Sequence, residues 1–268
     1  MLPVESDLEI RTHLPAQSAG NGAKPPLLFV HGGYSDAWFW EPYFLPYFAR
    51  KGYPAHALSL RGHGASGGIE TLFVAGLDDF AADVARAAAT LPERPVLIGH
   101  SMGAAIVERL LATQPVRAAA LVAPVPPAGL LAMAARLATG QPEYPLQFSQ
   151  FDPAGMSRQV LEALRPFYFS DVAPEILAQA STHLCAESPR VLLDLSMRLQ
   201  WQLPERKGVP LFVLGAEGDR ISTPDDVHAT AEHHGVDATL VPGLAHMLML
   251  EREWEKPARE LSRWLGTL

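Results

Sequence analysis

The sequence predicts an α/β fold: a mostly parallel central sheet with helices on both faces and a helical cap inserted between two of its strands. Three observations lead there. Short, wholly apolar runs alternate with longer amphipathic stretches, the pattern of buried parallel strands joined by helical crossovers. That alternation stops after Pro124 for roughly 80 residues and then resumes. Finally, Gly99-His100-Ser101-Met102-Gly103 stands directly between an apolar run and an Ala-rich helical stretch.

Taken in order, residues 8–14 read as a leading strand, and Ala16 to Pro26 as a polar turn rich in Gly and Pro. Leu27 to Val30 is a short buried strand ending in His31-Gly32-Gly33. Glu41 to Lys51 has helical character, with Pro42 tolerated in the first turn. Ala55 to Leu60 is the next strand, closed by Arg61-Gly62-His63-Gly64. Asp78 to Leu91 carries a helical pattern with the acidic start that the helix dipole favours. Strand 95–98, the pentapeptide, a helix over 104–112 and a strand from Arg117 to Ala123 follow.

From Pro124 to about Gly208 only helical patches occur: Leu130 to Thr139, Ser157 to Leu164, Pro174 to Leu184 and Pro189 to Gln200. Val209 to Gly215 then resumes as a strand, Pro224 to His234 as a helix and Ala238 to Val241 as a strand. A helix from about Trp254 to Leu265 ends the chain. The expected organisation is therefore a core of residues 1–123 and 209–268 with a cap of residues 124–208. Ligands of open α/β sheets bind beyond the carboxyl ends of the strands, so an insertion launched there would roof the site.

The pentapeptide by itself is a weak signal, since three fixed residues would recur by chance in roughly one chain in ten of this length. Its flanks make it a catalytic candidate. A serine on a strand-to-helix bend holds its hydroxyl clear of the sheet, with the helix N-terminus behind it. The hydroxyl needs a base within hydrogen-bond reach, itself oriented by a third group. With Ser101 in mid-chain, the acid and then the histidine should follow at later strand ends. Asp219 follows the strand Leu211 to Leu214, and His246 follows Thr239 to Val241. Glu217, Asp225 and Asp226 compete as the acid, although the last two suit the first turn of a helix. His233 and His234 read as surface residues at a helix end, without metal-ligand spacing.

Acyl transfer also needs two preorganised N–H donors for the developing oxyanion. Met102 supplies one candidate, and the loop after the strand Leu27 to Val30 supplies the other, with Gly33 preferred and Tyr34 as the near alternative. His31 reads as a side chain that pins this loop rather than as a base. Pocket candidates are Tyr34, Trp38 and Trp40 near that loop, and His100 beside the nucleophile. The cap adds Met133, Phe148, Phe151, Phe167, Tyr168, Phe169 and Trp201, with Arg136, Arg158 or Arg165 as single cations.

With these residues in place, the chain resembles the α/β-hydrolase fold superfamily over essentially its whole length. The resemblance rests on His31-Gly32-Gly33, Arg61-Gly62-His63-Gly64, Gly99 to Gly103, Asp219 and Gly243-Leu244-Ala245-His246. It implies a triad of Ser101, Asp219 and His246 and a helical cap like that of the esterase, lipase and haloperoxidase-like branches. Many relatives carry Gly-x-Gly-His where this chain has Ala245, a residue small enough to leave the histidine undisturbed. Serine at 101 argues against haloalkane dehalogenases and epoxide hydrolases, which place aspartate there.

Bulk composition agrees with one large domain: 268 residues, 48% hydrophobic, net charge −8. The acidic balance gives no footprint for nucleic acid. No run approaches the ~18 apolar residues of a membrane span. The N-terminal residues lack the basic and apolar regions of a signal peptide, and the single cysteine, Cys185, excludes an internal disulfide and suits a reducing compartment. Cys185 reads as a small buried apolar residue. The expectation is a cytoplasmic monomer or homodimer that uses no cofactor or metal. The expected activity is cleavage of small to medium, largely apolar carboxylic esters through an acyl-enzyme. The same triad also serves C–C bond hydrolysis, perhydrolysis, acyl transfer or amide cleavage, and a non-catalytic ligand-binding role is the third reading.

Overall fold

A computed structural model describes residues 7–16, 24–149, 152, 158–197 and 208–268. Seven strands form one sheet: β1 (Ile10–His13), β2 (Leu27–Val30), β3 (Ala55–Leu58), β4 (Val96–His100), β5 (Ala119–Val122), β6 (Leu211–Ala216) and β7 (Ala238–Val241). Their spatial order is β1-β3-β2-β4-β5-β6-β7. Only β1 is antiparallel, pairing Ile10 with Leu58, while every other pair is parallel.

The burial of β2 explains its sequence. All four residues are buried, because Leu27 and Phe29 enter one core layer and Leu28 and Val30 the other. A strand covered on both faces has no polar side to show, so it reads as a continuous apolar run. Edge strand β1 keeps polar residues and intermediate exposure. Phe29 packs against Trp40, Phe44 and Phe48 with ring centroids 4.9, 6.2 and 5.7 Å away. Each such fully buried ring contributes about 1.5–3 kcal/mol by leaving water.

Helices α1 (Phe44–Arg50), α2 (Leu77–Ala89) and α3 (Met102–Thr113) lie in the first half of the chain. The α1 boundary differs from the expected start at Glu41. Residues 37–40 form one tight turn, capped by the Asp36 carboxylate on the Trp38 N–H at 2.8 Å. Glu41 itself is drawn to His13 on β1 (2.8 Å) and begins a turn rather than the helix. The acidic start of α2 is explained by Asp79, which accepts the Gly76 N–H at 2.8 Å.

Between β5 and β6 the described elements are all helical: α4 (Gly129–Gly140), α5 (Glu143–Phe148), α6 (Arg158–Tyr168), α7 (Pro174–Thr182) and α8 (Pro189–Ser196). Of these, α5 falls between the helical patches expected from the sequence. Helix α9 (Pro224–His233) joins β6 to β7, and α10 (Glu255–Leu265) follows. Asp226 caps α9 by accepting from Thr223, and Arg136 of α4 pairs with it, so neither is free to play the roles considered above. His234 corrects the expectation of a surface residue. Its Nε2 lies 2.8 Å from Glu108 Oε1, and both side chains are buried. The acid of α3 sits inside an apolar run and needs this partner, a pairing between residues too far apart in sequence to anticipate. Among the described residues no helix is long and apolar enough to cross a membrane.

Candidate active site

The strand order reverses direction at β2 and β4, which are neighbours although β3 lies between them in sequence. Their carboxyl ends therefore flank the crevice where such sheets take ligands. Ser101 follows β4 and Gly32-Gly33 follows β2.

Ser101 has φ 52° and ψ −114°, a conformation a residue with a β-carbon holds only under constraint. Tight packing supplies the constraint. A β-carbon at Gly99 would strike the Gly103 carbonyl, and one at Gly103 would lie 2.5 Å from the carbonyl oxygens of Val30 and His31. The Ser101 N–H also donates to Val122 O on β5 at 2.9 Å.

Ser101 Oγ is 3.2 Å from His246 Nε2, and His246 Nδ1 is 2.8 Å from Asp219 Oδ2. The other Asp219 oxygen, Oδ1, accepts from the N–H groups of Ile221 (2.8 Å) and Ser222 (3.0 Å). Asp219 and His246 are buried, whereas Ser101 is partly exposed. Glu217, the nearest competing acid, is exposed. Both oxygens of Glu251 stabilise the His246 loop and its surroundings: Oε1 accepts the Ala245 N–H at 2.6 Å, and Oε2 accepts those of Ser170 and Asp171 at 3.2 and 3.0 Å. Burial raises the Glu251 pKa in spite of those donors. His100 Nε2 donates to the His246 carbonyl at 3.0 Å. Burial, with His246 beside it, pushes the His100 pKa well below the ordinary range, so it stays neutral.

The His31-Gly32-Gly33-Tyr34 loop is held from two sides. His31 Nε2 accepts the Leu60 N–H at 3.0 Å, which leaves Nδ1 to donate to Gly32 O at 2.8 Å. Burial drives this imidazole's pKa down to about 3, so it remains neutral as a structural pin. Tyr34, at φ 61°, gives its N–H to Glu187 Oε2 at 3.2 Å. That N–H is thereby occupied, whereas the N–H groups of Gly33 and Met102 donate to no acceptor among the described residues.

Glu187 was missed in the sequence. It lies on the segment joining α7 to α8, immediately before the Ser188 cap of α8, and its side chain is fully buried beside His63 Nε2 at 3.3 Å. The same segment gives the Cys185 N–H to Tyr34 O (2.9 Å) and His183 Nδ1 to Asp36 (2.8 Å), and His183 stacks on Trp38. Cys185 is thus half-buried at this junction rather than a core residue. Burial opposes charge on His63, but the Glu187 hydrogen bond and charge outweigh it and raise the pKa. A raised histidine pKa contributes stability that is complete below about 6.5 and lost as pH rises through the raised value. Glu187→Gln removes the charge and leaves one oxygen for two backbone donors, the N–H groups of Tyr34 and Ser188. It is therefore expected to cost about 2 kcal/mol near pH ~6 and clearly less near pH ~9, where only the lost acceptor counts. Urea unfolding at both pH values reads this, and an equal loss at both would refute the charge pairing.

Ser101 opens into a cavity of about 460 Å³, within the usual ligand range. Gly33, Met102, Tyr34, His100 and Phe148 line it, together with Leu130, Met133 and Leu137 of α4, Tyr144 of α5, Tyr168 of α6 and Leu195 of α8. Two expected pocket residues are elsewhere. Trp38 is buried against Phe39 and His183, because its ring fills the junction with the α7–α8 segment. Phe167 faces Tyr144 and packs with Met133, Leu137 and Ile221 behind the lining. Trp40 belongs to the core around Phe29. Phe151 and Trp201 lie outside the described residues, as does the side chain of Arg158. Phe169 and Arg165 line a smaller adjoining cavity that shares Gly33, Tyr34 and Tyr168. No cluster of metal-ligating side chains occurs among the described residues.

No curated protein matches the sequence. Among solved structures, an esterase from Thermogutta terrifontis is 18% identical with a TM-score of 0.72, covering 100% of this chain and 96% of its own. A bromoperoxidase from Bacillus anthracis is 18% identical with a TM-score of 0.72, covering 97% and 96%. The enol-lactonase from Burkholderia xenovorans LB400 is 18% identical with a TM-score of 0.67, covering 97% of each chain. At such identities these likenesses establish the fold alone. A model of the alpha/beta hydrolase family matches residues 27–261, and on that match the chain belongs to the alpha/beta hydrolase family.

Proposed function

We propose that the protein is a serine hydrolase that cleaves carboxylic esters with small to medium, largely apolar acyl groups. The observation that carries this reading is the hydrogen-bonded chain Asp219–His246–Ser101 opening into the apolar cavity. Ser101 Oγ attacks the ester carbonyl while His246 Nε2 takes its proton. The N–H groups of Gly33 and Met102 receive the oxyanion. His246 then hands its proton to the departing alcohol and activates the water that releases the acyl group. Asp219 keeps the imidazole proton on Nδ1 throughout. Helices α4 to α8, within residues 124–208, act as a cap whose side chains exclude water from the acyl-enzyme.

The experiment is a series of nitrophenyl esters from acetate to palmitate, with fluorophosphonate labelling followed by mass spectrometry. Turnover is expected to peak at short or medium chains and fall for palmitate, with one label per chain on the Ser101 peptide. Labelling at another residue would sink the assignment of the nucleophile. Labelling at Ser101 without turnover of any ester would move C–C or amide bond cleavage ahead.

A further inference from the structure

The cavity beside Ser101 is apolar over most of its lining, and of the three phenols there, Tyr34, Tyr144 and Tyr168, two form a bonded pair. Tyr144 and Tyr168 both line it, and their hydroxyls are 2.6 Å apart. Two phenols carry two O–H protons, and one hydrogen bond between them uses one. Whichever ring donates, the other keeps a proton for which the described residues offer no acceptor.

Both groups hold their protons. Burial pushes the Tyr144 phenol up to about 12 and the Tyr168 phenol well above the ordinary range, and the Asp219 charge adds to both. The pair is thus a neutral donor and cannot act as a base near neutral pH. An O–H left without an acceptor inside an apolar cavity is costly, so the arrangement calls for an oxygen from the occupant. The Tyr168 ring stands edge-on to the His246 ring with centroids 5.9 Å apart, which puts the pair close to the reacting bond. No lysine or arginine lines this cavity among the described residues, Arg165 lining the adjoining one instead, so a carboxylate on the occupant would find no countercharge within it.

Resting on the ester-hydrolase reading, we propose that the Tyr144–Tyr168 pair is a subsite for a neutral acceptor oxygen on the substrate. The preferred substrates are then esters whose acyl chain carries a ketone, ether or hydroxyl oxygen, rather than plain fatty esters. A carbonyl oxygen in the chain accepts the spare phenolic proton, while the two rings remain bonded to each other.

The test compares nitrophenyl esters of a plain acyl chain with the same esters bearing a ketone at successive carbons. Wild type is expected to favour one ketone position by about tenfold in kcat/KM. The Tyr144→Phe/Tyr168→Phe double variant should bring that ratio close to one, and the single variants identify the ring that faces substrate. Absence of a preference in wild type, or its survival in the double variant, overturns the subsite and points to a bound water as the partner. Preference for a chain ending in carboxylate over the ketone overturns the neutral class. Ser101→Ala run in parallel separates the two questions, since hydrolysis that survives it condemns the nucleophile while the ketone ratio still reports on the phenols. If no ester is turned over, calorimetric titration of wild type with the same pairs gives the ratio as Kd. Should the double variant fail to fold, the wild-type preference and the single variants still decide.

Discussion

Ser101→Ala is expected to lower kcat for a good nitrophenyl ester by about 10⁵–10⁶, while the melting temperature changes little. The substitution removes a single atom, Oγ, whose described contact is His246 Nε2. Everything that shapes the elbow is backbone or glycine. The Ser101 N–H still donates to Val122 O, the Ser101 carbonyl still accepts from Ala104, and the close approach of Gly99 to Gly103 is untouched. Alanine meets the same strain at φ 52° as serine does, so the native conformation costs no more. The Gly33 and Met102 donors and the cavity would persist in the variant, and such remnants sustain a rate about 10³-fold above that in water. Steady-state kinetics with a label-stoichiometry control checks this. A variant that hydrolyses as fast as wild type would mean that another group is the nucleophile.

The legibility of this chain follows the range of the forces involved. The parallel strands are runs of four to six residues, buried on both faces in β2 to β5 and nearly so in β6. This local apolar pattern marked them, with the half-buried edge strand β7, to within two residues at either end. The elbow was legible for the same reason, since glycine is demanded wherever the backbone approaches another backbone as closely as Gly103 approaches Val30 and His31. Asp219 and His246 stood out because strand ends in an α/β sheet converge on one crevice. Contacts set by tertiary approach were not legible. Glu187 reaches Tyr34 across 153 residues and His63 across 124, and nothing in its neighbourhood announces either partner. Trp38 sits close to Gly32-Gly33 in sequence, yet its ring turns to His183. Glu251 left a fainter signal, an acid closing the apolar run Met247 to Leu250, which marks a buried carboxylate in need of donors.

Asp219→Asn is expected to abolish most of the activity by moving one proton around a fixed amide. The Oδ1 position of Asp219 receives two backbone donors, Ile221 and Ser222, neither of which can turn into an acceptor. An asparagine must therefore place its oxygen there and its NH₂ toward His246. Facing that donor, His246 Nδ1 has to accept, so the ring proton moves to Nε2. That is the nitrogen that must be free to take the Ser101 proton. The geometry stays intact while the tautomer becomes wrong, and kcat is expected to fall by about 10⁴ at neutral pH. The stability loss should stay near ~1 kcal/mol, because every hydrogen bond keeps a donor and an acceptor. Added to Ser101→Ala, Asp219→Asn should cost almost nothing further, as groups acting as one unit are not additive. Full additivity would mean that Asp219 acts independently of Ser101, and an Asp219→Asn variant as active as wild type while Glu217→Gln is inactive would transfer the acid's role to Glu217.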